Sequence, residues 1–171
     1  MTEPVPGAGA EGPHAGELPA RLIRRLAERG ETLAVAESCT GGGLGHAITA
    51  VPGASGCFWG GVVAYHNRAK MDVLSVRPET LERYGAVSEE TAREMAAGAV
   101  AVSGSSWGVA ITGIAGPAGA TPGRPVGTVC ISVDGPAPRC RTLAVEGDRR
   151  QVRVQAVEEA LRLLEEAVRS R

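Results

Sequence analysis

The sequence has few aromatic residues, almost no net charge and no long apolar segment, and each shortage excludes a class of protein. Aromatic residues make up 3% of the 171 residues while 43% are hydrophobic, so a core must be packed mainly from Ala, Val, Leu and Ile. A net charge of -1 argues against a surface for nucleic acid or an anionic membrane, since both require clustered positive charge. No run of about 18 apolar residues and no signal-peptide pattern is present, so we expect a cytoplasmic protein without a membrane segment.

Motifs for metal binding and nucleotide hydrolysis are also missing. The four cysteines, Cys39, Cys57, Cys130 and Cys140, contain no Cys-x-x-Cys pair and no neighbouring His at ligand spacing, so we expect no zinc site. Reduced thiols fit this pattern, with Cys130 and Cys140 either facing each other across a hairpin or simply buried. No glycine loop continues into Gly-Lys-Ser or Gly-Lys-Thr, so a Walker A site for nucleotide hydrolysis is not predicted.

The chain divides into a tail and one domain. Residues 1–16 are rich in Gly, Pro and Ala and are predicted to be a flexible tail, whereas residues 17–171 are predicted to form a single domain. The domain has the order helix, strand, helix, strand, short helices, strand, hairpin and helix. This order predicts an α/β fold, a three-layer α/β/α sandwich whose sheet is mixed but mostly parallel.

The segment ESCTGGG, residues 37–43, follows a short apolar run and places an acid, two hydroxyls and a thiol before three glycines. It resembles a strand that delivers a reactive cluster to the first turn of a helix, where free backbone N–H groups attract anions. The alternative is an ordinary connection from strand to helix whose glycines only make the turn.

Three loops follow predicted strands: one after Glu37, one after Tyr65 and one after Thr112. If these strands are parallel, the loops meet at the carboxyl edge of the sheet, where open α/β folds bind their ligands. The third loop, residues 113–125, is rich in Gly and Pro, which is typical of a functional or mobile segment. The sequence therefore favours a ligand site built from these loops.

Candidate catalytic side chains lie in two of these loops. A lysine that is partly desolvated can lose its proton, so Lys70 could act as base to the hydroxyl of Ser38, although taken by itself its position favours a surface lysine. Cys39 is a rival nucleophile or a buried packing thiol. The sequence offers few histidines for a Ser-His-Asp triad. Only His66 follows a strand end, whereas His14 lies in the tail and His46 in a predicted helix.

Two arginines and a tyrosine are candidate binding residues. Arg149 and Arg153 lie one turn apart near the start of the last predicted helix, and they could clamp a phosphate or form salt bridges on the helix surface. Tyr65 could donate a hydrogen bond to a substrate or fill space at the strand end.

Six sequence blocks occur in the order typical of one protein family: ESCTGG at 37–42, PGAS at 52–55, GAVS at 85–88, TGIAGP at 112–117, PVGTV at 125–129, and GDR at 147–149 followed by Val152-Arg153. On these blocks, residues 18–169 resemble the C-terminal domain of the CinA (competence/damage-inducible) family, which includes nicotinamide-nucleotide amidase. The resemblance implies hydrolysis of the carboxamide of nicotinamide mononucleotide to nicotinic acid mononucleotide and ammonia, within pyridine-nucleotide recycling. It implies no metal and no organic cofactor. It also implies a small-molecule partner, a homo-oligomer, and the form that stands alone without the family's large N-terminal domain.

Roles carried over from the family fall on the same loops. The resemblance implies that Ser38 is the nucleophile, Lys70 the general base and Tyr65 a neighbour that assists. It places Thr40, Gly41 and Gly42 at the substrate or oxyanion site, and Thr112, Gly113 and Arg149 along the substrate pocket.

Three positions depart from the family pattern. His66 stands where the family commonly has Ser, Ala118 where it commonly has Asp, and Arg124 where it commonly has Lys. The first two motivate an alternative hypothesis from a different class: a catalytically weak or inactive nucleotide-binding or regulatory module of the same family.

Overall fold

A computed structural model describes residues 16–171, so the predicted tail and His14 lie outside the described residues, apart from Gly16. No helix in this described part combines the length and hydropathy needed to cross a bilayer. Its elements, in chain order, are α1 Glu17–Glu28, β1 Leu33–Glu37, α2 Gly43–Thr49, a single 3-10 turn Ala54–Gly56, β2 Phe58–Val63, α3 Asn67–Leu74, α4 Pro78–Tyr84, α5 Glu89–Ser103, β3 Trp107–Gly113, β4 Thr128–Asp134, β5 Arg139–Ala144 and α6 Arg149–Arg169.

The strands form one sheet in the order β2-β1-β3-β4-β5. β1 is parallel to both β2 and β3, whereas β4 is antiparallel to β3 and to β5, so four of the five described strands run in the same direction. The carboxyl ends of β1, β2 and β3 therefore meet at one edge. The prediction of a mixed, mostly parallel sheet is confirmed.

The hairpin of β4 and β5 differs from its prediction in register. The sequence predicts the second strand of the hairpin over Thr142–Val145, but β5 begins at Arg139, because Val133 already pairs with Arg139 directly after the turn. Cys130 pairs with Thr142, and Cys140 pairs with Ser132, so the two cysteines are offset by two residues and do not face each other. All four thiols are free.

Side chains of β1 alternate between two cores, as the period of a strand requires. Leu33 and Val35 join the larger core against α1, α2 and α6, while Ala34 and Ala36 face the core that α3 and α5 complete. Helices thus cover both faces of the sheet, which confirms the predicted three-layer sandwich.

On the face of the sheet that α3 and α5 cover, small residues bring these helices close to the sheet and to each other. A Cβ atom at Gly98 of α5 would lie 2.1 Å from the carbonyl oxygen of Leu74, at the end of α3. A Cβ atom at Gly108 of β3 would lie 2.3 Å from the carbonyl oxygen of Ala96. This close packing holds α3 against the end of β1, where the candidate site lies.

Candidate active site

Ser38 and Lys70 meet at the carboxyl edge of the sheet. Ser38 directly follows β1, and strand alternation places it on the same face as Ala36, towards α3. Lys70 belongs to α3, and its Nζ lies 3.1 Å from Ser38 Oγ. The lysine is 1% exposed and the serine 8%. The structure therefore excludes a surface lysine and brings the two side chains into hydrogen-bonding contact.

Lys70 is the only lysine in the sequence, and its amine is buried without a counter-ion. No carboxylate of the described residues forms a salt bridge with it, and burial lowers the pKa of the amine below its ordinary value. Its Nζ also lies 2.9 Å from the carbonyl oxygen of Ala64 and 3.5 Å from that of Tyr65. In the neutral amine, two N–H bonds can donate to these carbonyls, and the lone pair then faces the Ser38 hydroxyl.

The start of α2 does not form the open anion site that the sequence suggested, because the carboxylate of Glu37 fills it. Glu37 Oε2 accepts hydrogen bonds from Thr40 Oγ1 at 2.6 Å and from the Gly42 N–H at 3.1 Å. The N–H groups of Leu44 and Gly45 donate to the same carboxylate.

Thr40, Gly41 and Gly42, which the resemblance places at the substrate, do not line the cavity beside Ser38. Within this turn, the Ser38 N–H donates to the carbonyl of Ile111, and the Gly41 N–H donates to the carbonyl of Ser38. With Gly42 bound to Glu37 and Thr40 outside the cavity, the N–H group of Cys39 is the remaining candidate for an oxyanion donor directly after Ser38.

A cavity of about 250 Å³ lies above Ser38 and Lys70. Tyr65, Thr112, Gly113 and Arg149 line it. The loop of residues 113–119 forms another wall. The remaining wall comes from residues that the sequence interpretation left without a role, namely Asn67, Ala86 and Val87.

The sequence could have predicted that Asn67 lies in this wall, but not that Ala86 does. Asn67 precedes Lys70 by three residues on α3, so helical spacing alone places both on one face. Ala86 accepts a hydrogen bond at 2.7 Å from Thr112 Oγ1 through its carbonyl, a contact between distant segments that no local pattern indicates.

Arg149 and Arg153 have separate positions, so they do not form a paired phosphate clamp. Arg149 donates to the carbonyl of Gly116 at 2.8 Å and to the Tyr65 hydroxyl at 3.1 Å, at the mouth of the cavity. Arg153 donates to the carbonyl of Thr40 at 2.9 Å and does not line the cavity. Neither arginine forms a salt bridge with the described residues, so the surface salt-bridge interpretation is also wrong.

Cys39 is a packing thiol rather than a nucleophile. Its side chain is 5% exposed, and burial raises the pKa of the thiol to about 11, so the thiol is protonated at neutral pH. A Cβ atom at Gly113 would lie 3.1 Å from the Cys39 sulfur, which shows how tightly the thiol is enclosed.

Within residues 16–171, no three His, Cys, Asp or Glu side chains come together as a metal site would require.

His66, which stands where the family commonly has Ser, caps the N-terminus of α3. Its Nδ1 accepts a hydrogen bond at 3.1 Å from the Arg68 N–H, which is the role a serine commonly has at the first position of a helix. The imidazole is exposed and forms no hydrogen bond with Lys70. The replacement of Ser by His therefore exchanges one cap for another.

This role predicts the effect of substitutions at position 66. Changing His66 to Ala should lower the free energy of unfolding by about 1 kcal/mol, because α3 loses its capping acceptor. Changing it to Ser should preserve stability, since the hydroxyl oxygen can accept the same hydrogen bond. Urea titration of the three proteins measures this, and equal stability of the Ala and Ser variants would contradict the capping role.

The comparisons with known proteins agree on one family. The family model described as the CinA C-terminal domain matches residues 15–168. A CinA-like protein of Anaeromyxobacter sp. (strain K) is 54% identical over 154 residues, which are 90% of this chain and 38% of that protein. A CinA-like protein of Synechocystis sp. is 54% identical over 126 residues, which are 73% of this chain and 30% of that protein. The chain thus spans well under half the length of these relatives.

Solved structures match over nearly their whole length. A CinA superfamily protein from Klebsiella pneumoniae superposes with a TM-score of 0.88 at 37% identity, covering 94% of this chain and all of that one. A competence or damage-inducible protein from Enterobacter asburiae has a TM-score of 0.86 at 40% identity, covering 90% of this chain and 98% of its own. The sandwich described above is the fold of these proteins.

Proposed function

The chain belongs to the CinA C-terminal domain family, and from this premise we propose that it is an amidase that hydrolyses the carboxamide of nicotinamide mononucleotide. The observation that carries the proposal is the contact of 3.1 Å between Ser38 Oγ and the Nζ of a buried lysine that forms no salt bridge within residues 16–171. A hydroxyl next to an amine that can be neutral is the arrangement that nucleophilic attack on an amide requires.

The reaction would proceed through an ester on Ser38. Its hydroxyl proton passes to Lys70 Nζ as Oγ attacks the carboxamide carbon, and the N–H group of Cys39 stabilises the oxyanion. Lys70 then returns the proton to the leaving nitrogen, and ammonia departs. A water molecule, deprotonated by Lys70, attacks the ester carbon. The bond between this carbon and Ser38 Oγ breaks, Lys70 returns the proton to Oγ, and nicotinic acid mononucleotide is released. Tyr65 assists through its carbonyl, which lies 3.5 Å from the amine.

Arg149 would bind the phosphate of the substrate. The cavity of about 250 Å³ is smaller than typical ligand sites of about 300–1,000 Å³, so it suits the ring and carboxamide, with the phosphate at the mouth. Arg149 lies at that mouth, and no carboxylate in the described part of the chain pairs with it. Its guanidinium is planar and can donate two parallel hydrogen bonds to a phosphate.

Substituting Arg149 with Ala should therefore raise KM for nicotinamide mononucleotide by about 10- to 100-fold, the equivalent of one charge-assisted contact. The KM for nicotinamide riboside, which has no phosphate, should change far less. Arg150→Ala is the matched control, because Arg150 is a neighbouring exposed arginine that does not line the cavity. An equal loss for both substrates would remove Arg149 from phosphate recognition.

A substrate panel tests the proposed function itself. The purified chain is incubated with nicotinamide mononucleotide, nicotinamide riboside and free nicotinamide, and both ammonia and the acid product are measured. We expect the mononucleotide to have the highest kcat/KM and to yield ammonia and nicotinic acid mononucleotide in equal amounts. Absence of ammonia from all three compounds would refute the amidase.

One observation favours the alternative, a nucleotide-binding or regulatory module. Ala118 lines the cavity at the position where the family commonly has Asp, so a carboxylate is missing from that wall. Calorimetry that detects tight binding of the mononucleotide, together with no ammonia release, would favour the module. The location in the cytoplasm and the homo-oligomer remain predictions of this proposal.

A further inference from the structure

We infer that Glu37 is a positioning residue for Ser38, and this inference rests on the proposed function. Glu37 is 1% exposed, does not line the cavity and forms no salt bridge with Lys70. Its carboxylate instead holds the turn that carries Ser38 and the candidate oxyanion donor, the N–H of Cys39. It therefore acts on the reaction through this turn rather than through the substrate.

The carboxylate is enclosed by donors alone. Oε2 accepts from Thr40 Oγ1 at 2.6 Å, from the Gly42 N–H at 3.1 Å and from the Leu44 N–H at 3.0 Å, and Oε1 accepts from the Gly45 N–H at 2.8 Å. An ionised carboxylate has only acceptors and matches such a set. An amide of the same shape does not, because its NH2 group would face at least one N–H donor.

These contacts connect two rigid elements across the turn. The end of β1 is fixed on both sides, because the Ser38 N–H donates to the carbonyl of Ile111 and the Ala64 N–H donates to the carbonyl of Glu37. The Glu37 side chain then binds the first turn of α2, eight residues further along the chain at Gly45. Because these contacts fix both the end of β1 and the first turn of α2, they determine the backbone conformation of residues 38–42 between them.

Glu37 and Ser38 lie on opposite faces of the sheet, since successive side chains of a strand alternate. The carboxylate therefore holds the turn from the side of α2, while the hydroxyl reaches Lys70 on the side of α3. Thr40 adds a second attachment, because its carbonyl accepts a hydrogen bond from Arg153 at 2.9 Å. A loose turn would displace Ser38 Oγ relative to Lys70 and move the N–H group of Cys39 together with it.

Glu31 provides a matched control for a purely structural carboxylate. It is 7% exposed and lies before the opposite end of β1, where it accepts a hydrogen bond from Trp107 Nε1 at 2.6 Å and pairs with Arg171. Glu31→Gln should lower the melting temperature and leave kcat unchanged. Glu37→Gln should lower kcat by about 100-fold with little change in KM, because a small displacement of reacting groups has an effect of that size.

The test compares wild type, Glu37→Gln, Thr40→Val and Glu31→Gln. Two quantities are measured for each: kcat and KM for nicotinamide mononucleotide, and the rate at which phenylmethanesulfonyl fluoride labels Ser38, followed by mass spectrometry. Labelling depends on the activated hydroxyl and needs no amidase substrate. Thr40→Val removes one of the contacts to the carboxylate, so we expect its labelling rate to fall about tenfold. This variant keeps the test valid if Glu37→Gln does not fold.

The outcomes separate the inference from the proposed function. Parallel losses of kcat and labelling in Glu37→Gln and Thr40→Val, with Glu31→Gln at the wild-type rate, support the positioning role. Labelling of Glu37→Gln and Thr40→Val at the wild-type rate overturns it. Labelling of wild-type Ser38 without ammonia release refutes the amidase, while the labelling rates of the variants still decide the role of Glu37. A wild-type Ser38 that is not labelled contradicts both.

Discussion

Replacing Lys70 with methionine is expected to lower kcat for amide hydrolysis by about 10⁴-fold, the upper end of what a general base contributes. Methionine has a similar length and is apolar, so it fills the buried space between Ser38 and Ala64 without supplying a base. Lys70→Arg should be equally inactive, because a guanidinium retains its proton at any pH the protein tolerates. Wild-type activity in Lys70→Arg would show that no neutral amine is needed.

The same substitution should change how stability depends on pH. Burial lowers the pKa of the Lys70 amine in the folded protein, so between this value and the ordinary value of 10.5 the unfolded chain binds more protons. The free energy of unfolding of wild type therefore rises with pH across that window, relative to Lys70→Met. Below the pKa of Lys70 in the folded protein, the buried amine is charged. There the free energy of unfolding of wild type is lowest relative to that of Lys70→Met.

Denaturant titrations of both proteins at several pH values measure this difference directly. We expect the unfolding free energy of wild type minus that of Lys70→Met to increase as the pH rises towards 10.5. A difference that stays constant would contradict the depressed pKa, and a difference that decreases would mean that folding raises it.

Substituting Ser38 with alanine is expected to lower kcat by about 10⁴-fold or more as well, because no acyl-enzyme can form. The hydroxyl and the amine act as one unit, so the double variant Ser38→Ala, Lys70→Met should be no slower than Ser38→Ala alone. Additive losses would mean that the two residues act in separate steps. Circular dichroism of each variant checks that the fold is retained.

Cys39→Ser serves as the matched control for Ser38→Ala, because it alters the adjacent side chain and leaves the nucleophile in place. Since the Cys39 thiol is protonated and buried, its loss should affect packing rather than chemistry. Loss of activity in Cys39→Ser comparable to that in Ser38→Ala would return Cys39 to the role of nucleophile.

Much of the fold follows from patterns within single segments. The helical spacing of Leu22 and Leu26 and the stop at Gly30 predict α1, and the Ser88 cap predicts the start of α5, as observed. The start of β5 was missed because Arg139 and Arg141 resemble a polar loop. Charged residues are common on the edge strands of sheets, where their side chains remain in water.

The candidate site was harder to predict because it depends on where side chains point. The convergence of three loops followed from parallel strands, and the contact of Ser38 with Lys70 agrees with it. Glu37, however, was grouped with the reactive cluster, although strand alternation places it on the face opposite Ser38. The spacing of Arg149 and Arg153 suggested a pair, but contacts between distant segments separate them, at Gly116 for one and at Thr40 for the other.

The single lysine makes the central claim directly measurable, because lysine labelled with ¹⁵N at Nζ gives one side-chain signal in the whole protein. The account holds that Lys70 is a buried amine that loses its proton readily and serves as base to Ser38. It predicts that this signal titrates below 10.5 and that kcat rises with pH through the same midpoint. A signal that titrates at or above 10.5, or a pH profile of kcat independent of it, would contradict the account.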